Sequence, residues 1–286
     1  MTTTIRYTLA KLRGQILGWG IGIAALGLIL IPFYDIFVAE QGQLMQMMES
    51  YPPEFLAFFG ADLNSIATPG GYLGMYGFSM LPVIGGIFAI LVGSGLLASD
   101  EESGRLDLIL AYPVGRSGLF FGRVLALLLA SLIIMALGWL GFALPLFSSS
   151  LDVTWGQMAL PFIPLLAQIL IYASLALLFS MLLPARRLAA MAAGLIMVAS
   201  YFLTSMASLN KGLEVIAQLL PYHYFQGGDA MNGLDLASLV GLLAASGLFT
   251  LLAWWRFLGR DVRVAGEGGW ALPWPLFHRP AAPPRT

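Results

Sequence analysis

Six uncharged runs of at least twenty residues divide the chain, at 14–34, 63–99, 124–151, 153–185, 188–210 and 236–255. A bilayer core about 30 Å thick needs roughly 20 apolar residues of helix, so each run holds one span. A backbone in lipid must satisfy its own hydrogen bonds, which long continuous apolar runs do as helices rather than as the alternating strands of a barrel. The pattern predicts an all-α polytopic membrane protein with spans at 17–34, 76–97, 119–147, 158–183, 188–209 and 236–258. The third is long enough to tilt or to begin outside the membrane. Residues 1–258 thus form one six-helix transmembrane domain, followed by a Gly-, Pro- and Trp-rich tail at 259–286.

The interruptions carry patterns of their own. Residues 5–17 mix Arg6, Lys11 and Arg13 with Ile5, Tyr7, Leu9, Leu12 and Ile16, which predicts an N-terminal elbow helix lying at the inner interface. Between spans one and two, Leu44, Met47, Met48, Phe55 and Phe58 surround Pro52 and Pro53, and short amphipathic helices are expected at the outer interface. Thr68-Pro69-Gly70-Gly71 is expected to break the chain before span two. Between spans five and six, Leu213, Val215, Ile216, Leu219 and Leu220 precede Pro221 and the aromatic group Tyr222, Tyr224 and Phe225. This stretch suggests a re-entrant or interfacial hairpin, so small extracellular helical elements complete the expected plan.

Composition supports this plan: 59% of residues are apolar and 10% charged, against about 25% charged in soluble domains. Net charge is only −1, and its distribution says more. With six spans and both termini cytoplasmic, every basic residue except Lys211 falls on the inner side. The positive-inside rule turns that asymmetry into a predicted orientation in the cell membrane. The first run is too long for a signal-peptide core and has no convincing small-residue cleavage site beyond it, so it reads as a retained span. The sequence has no cysteine, which removes disulfides, thiolate metal sites and a cysteine nucleophile.

The inner loop between spans two and three is the most informative stretch, running Ser99-Asp100-Glu101-Glu102-Ser103-Gly104-Arg105-Leu106-Asp107-Leu108-Ile109-Leu110-Ala111-Tyr112-Pro113-Val114-Gly115-Arg116. Leu106, Ile109 and Leu110 fall at i, i+3 and i+4, giving a short helix at about 104–112 one apolar face, and Pro113 would end it. The residues alone fit a solvated connector equally well. However, the loop resembles the signature of type-2 ABC exporter permeases, an acidic cluster followed by Gly-Thr-Leu, an apolar run and Pro-Val-x-Arg. Glu101, Glu102, Gly104, Leu106, Leu110, Pro113, Val114 and Arg116 match that pattern, while Arg105 stands where the family commonly has Thr. The resemblance implies a cytoplasmic coupling helix that docks into a groove of a separate ATPase subunit. The implied coupling residues are Glu101, Glu102, Gly104, Arg105, Leu106, Ile109, Leu110, Pro113 and Arg116.

Other chemistries fit less well. Lys11 and Lys211 are the only lysines and neither lies in a P-loop, so ATP and Mg would be bound by the partner ATPase and no cofactor by this chain. Gly115-Arg116-Ser117-Gly118 resembles an intramembrane serine-protease motif, but the topology puts Ser117 and His223 on opposite sides. The six runs lack the buried ionisable residues typical of ion-coupled transporters, and no charged ring or filter-like repeat suggests a channel. Gly18, Gly20, Gly22, Gly85, Gly86, Gly93, Gly95, Gly138 and Gly141 are expected to allow close helix packing. The resulting expectation is a non-catalytic permease that forms its translocation path with a second permease copy or a related permease. Its other partners are an ATPase and membrane lipids, not nucleic acid. The rival is an ATPase-independent membrane scaffold or lipid-modifying enzyme, and nothing in the sequence selects a substrate.

Overall fold

The computed structural model describes residues 1–40, 42, 46–47, 50–52, 68–106, 115–207 and 211–259. Among these the secondary structure is helical, without strands. Six segments are long and apolar enough to cross a membrane: Thr2–Ala39, Pro69–Gly95, Arg116–Ser148, Trp155–Leu182, Arg186–Ala207 and Leu236–Leu258. They correspond in order to the six expected spans and are called spans one to six below.

Span one differs from expectation at its start. The separate elbow expected at 5–17 is instead the first part of one unbroken helix, Thr2–Ala39. Thr8, Leu12, Ile16, Gly20, Ile23, Gly27, Ile31, Tyr34 and Phe37 are its buried positions, spaced by three and four throughout. That single stripe stays in register across the supposed joint, so nothing interrupts the helix there. At 1.5 Å per residue it is about 57 Å long, well beyond an apolar core of about 30 Å.

Span two also begins differently. Thr68-Pro69-Gly70-Gly71 starts the span instead of breaking the chain before it: the Thr68 hydroxyl accepts the Gly71 N–H at 3.1 Å, and Pro69 takes the first helical position. A π-turn over Gly74–Phe78 follows, marked by Ser79 N–H donating to Gly74 O, before the α-helix resumes at Leu81–Gly95.

The spans pack as two groups. Span one lies chiefly along span three, whereas span four sits between spans two, five and six. Glycines permit the closest approaches. A Cβ on Gly141 would stand 2.3 Å from the Ala24 backbone, joining spans one and three, and a Cβ on Gly93 would stand 2.3 Å from Ala173 O, joining spans two and four. Gly20, Gly85, Gly86, Gly95 and Gly138 likewise face close neighbours, but Gly18 and Gly22 have nothing within 4 Å of a Cβ, so close packing does not account for these two.

The end opposite the 98–106 loop is closed by small elements. Helix Lys211–Ala217 and two 3-10 turns, Pro221–Tyr224 and Gly227–Asn232, connect spans five and six. Tyr222 pins this connection, its N–H donating to Ser200 Oγ and its hydroxyl to Ser79 O, both at 2.9 Å. Gly228 packs directly on Gly70 and Gly74 at the start of span two. Most of the stretch expected to form helices at 41–59 lies outside the described residues, as does the tail from 260 onward.

Candidate functional site

The segment after span two folds into one short turn of helix, Ala98–Glu102, at the end of the bundle where spans one and three begin. Gly104 follows it with φ 65, the left-handed conformation that suits glycine just past a helix end, and its N–H donates to Glu101 O at 3.0 Å. This reversal turns the chain so that Leu106, only 1% exposed, joins the core of the bundle.

Asp100 is the centre of the arrangement and is 1% exposed. Its Oδ1 accepts from Lys11 Nζ at 2.9 Å, and its Oδ2 lies 2.7 Å from an Arg123 Nη. Arg105 Nε stands farther off, 3.9 Å from Oδ1, and donates instead to Ser103 Oγ at 2.9 Å. Burial pushes the Asp100 carboxyl up, but the Lys11 hydrogen bond and the Arg123 charge outweigh it and hold the group below its usual range. Arg123 is equally buried and also donates to Leu96 O. One carboxylate therefore binds the loop to spans one and three at once.

Further contacts tie the same region to spans five and six. Glu102 accepts the Arg186 N–H at 3.0 Å, and the Arg186 guanidinium reaches Leu91 O at 3.1 Å across Gly95, where a Cβ would crowd it. Arg116 opens span three and donates to Leu258 O at 3.3 Å, while Trp254 donates to Ser117 Oγ at 3.2 Å. The loop is thus anchored on spans one, three and five, and the first turn of span three is tied in turn to span six.

A family model described as ABC-2 family transporter protein matches residues 18–262. The chain belongs to the ABC-2 transporter family. It is accordingly a multi-pass membrane protein and a transport subunit of that family. Comparison with curated proteins returns no match.

Of the residues expected to couple an ABC-2 permease to its ATPase, Glu101, Glu102, Gly104, Arg105, Leu106 and Arg116 gather at one end of the bundle. Ile109, Leu110 and Pro113 lie outside the described residues. Glu101 is 8% exposed and Leu106 faces the bundle's own core, so these two build the base of the loop more than its outer surface. Sequence reasoning missed the Lys11–Asp100–Arg123 cluster. Its signal was available: Arg123 interrupts an otherwise apolar or small stripe formed by Phe120, Ala126, Leu127 and Ala130 on span three. Ser117 and His223 are not brought together; Ser117 accepts from Trp254 at the loop end, and His223 meets the Tyr224 ring edge-on at the other. Among the described residues no group of three or more acidic, histidine or cysteine side chains could hold a metal.

Proposed function

We propose that this chain is the permease subunit of an ATP-driven exporter, paired with a second permease and coupled to separate ATPase subunits through the segment between spans two and three. The observation that carries this reading is the anchorage of that segment within an ABC-2 family membrane domain: Asp100 joins it to spans one and three, and Glu102 joins it to span five. A helix continuing from Gly104 could enter a groove on the ATPase with Ile109 and Leu110 down, its flanking charges setting register. Closure of two ATPase subunits would then move the loop and, through its ion pairs, tilt the spans as packed bodies. Both termini would face the cytoplasm.

Co-expression with the ATPase tests the proposal. Ile109→Asp should abolish or strongly reduce co-purification while leaving membrane insertion intact; undiminished capture of the ATPase would count against docking here. Leu106→Asp is a poor substitute, because that side chain is packed within the permease. If the purified chain alone were to modify a lipid, with no ATPase required, the rival reading would replace this one.

A further inference from the structure

A groove of about 430 Å³ runs between spans three and six, floored by span four. Its lining includes Leu128, Ser174, Leu243, Ser246, Gly247 and Thr250. Three of these carry hydroxyls, but each is turned back onto backbone: Ser174 donates to Ile171 O, Ser246 to Leu170 O and Thr250 to Ser246 O, at 2.8–3.1 Å. The hydroxyl protons are committed, so the groove offers an occupant hydrocarbon contact rather than donors. Between the groove and the loop end, Trp254 packs on Phe121 at a ring separation of 5.4 Å and donates to Ser117 Oγ.

Depth and size restrict the occupant. On span three the lining runs from Val124 to Leu128, about 12 to 18 Å from Arg116, so the groove reaches the middle of a core about 30 Å thick, the depth of the far part of an acyl chain. It opens sideways onto the lipid-facing surface of span six, where Leu243 and Leu251 are 43% and 52% exposed. A helix with its side chains is about 10–12 Å across, too wide to be seated in 430 Å³. Both framing spans end in an arginine on the same side, Arg116 and Arg256, suited to a phosphate. We propose that this groove is a binding site for one acyl chain of an anionic phospholipid whose phosphate lies toward Arg116 and Arg256. The site depends on membrane insertion and not on the ATPase partner.

The full-length protein, reconstituted in vesicles of phosphatidylglycerol and phosphatidylcholine with a trace of phosphatidylglycerol bearing a mid-chain diazirine, tests this by mass-spectrometric mapping of adducts. Adducts should concentrate on Leu243, Gly247 and Thr250. Gly247→Phe should reduce them several-fold, whereas Gly241→Phe, outside the groove, should not; neither glycine has anything within 4 Å of a Cβ. Even labelling along the outer face of span six, or labelling indifferent to Gly247→Phe, would overturn the site. A phosphatidylcholine probe should label less, and Arg256→Gln should erase that difference; equal labelling by both probes in the unmodified protein would overturn the phosphate assignment. The native chain has no cysteine, so oxidation of Gly247→Cys supplies another readout. A disulfide-linked dimer would mean that a second copy covers the groove, and would also overturn the proposal.

Discussion

Replacing Asp100 by Asn would leave Arg123 buried, 2% exposed, without its anion. Breaking a buried pair in this way typically costs about 3–5 kcal/mol, much of it the uncompensated remaining charge. Asp100→Asn should therefore lower the melting temperature of the solubilised protein clearly, while Lys11→Met, which removes a partly exposed partner, should lower it less. The pH dependence has a definite sign. Because the folded carboxyl is held below its ordinary value of 3.8, its contribution is present above that value and lost as pH falls through the lower folded value. The melting gap between Asp100→Asn and the parent protein should be flat from about pH 5 to 8 and close only below about pH 4; a gap that closed near neutrality would refute the ion-pair account. Asp100 was visible in the sequence as part of an acidic loop, but its partners were not. Lys11 and Arg123 stand 89 and 23 positions away, and only the packing of spans one and three brings them to it.

The glycines divide in a way that composition cannot reveal. At Gly93 a Cβ would lie 2.3 Å from the carbonyl oxygen of Ala173, and a backbone cannot swing aside as a flexible side chain can. Gly93→Ala should push span two from span four and cost about 1–3 kcal/mol, read as a lower melting temperature. Gly22→Ala faces open space and should melt like the parent or slightly higher, since alanine favours helix by roughly 1 kcal/mol. Equal losses in both would contradict the observed packing. The long apolar runs made the spans legible, but their ends depended on local detail. Thr68 and Pro69 look like chain breakers in a linear pattern and act as a cap and first turn once Gly70 and Gly74 have Gly228 to pack against. The elbow is not a separate helix for a related reason: three basic residues suggest a surface helix, yet Thr8, Leu12 and Ile16 continue the buried stripe of span one.

Among the described residues, every basic side chain except Lys211 belongs to the end where spans one, three and five begin and spans two, four and six end. This fits the alternation of six crossings, and under the proposed orientation the positive-inside rule would have that end in the cytoplasm. Single cysteines in the naturally cysteine-free chain can read the orientation: Ser103→Cys should resist a membrane-impermeant maleimide in intact cells and react after permeabilisation, while Gln218→Cys should react in both. The reverse pattern would invert the molecule and remove the loop from any cytoplasmic ATPase. Number of spans, charge asymmetry and the family signature were all legible because they are written in contiguous sequence. Which spans touch was not, because pairing depends on distant surfaces fitting together. The Asp100 knot also has a meaning in time. Lys11 emerges from the ribosome 89 residues before its carboxylate, roughly 5–20 s at about 5–20 residues per second, and Arg123 comes later still. During that interval span one carries a lip of positive charge not yet matched by its carboxylate; span two can already meet it through Tyr72 and Leu30, but its long seam with span three forms only when that span arrives.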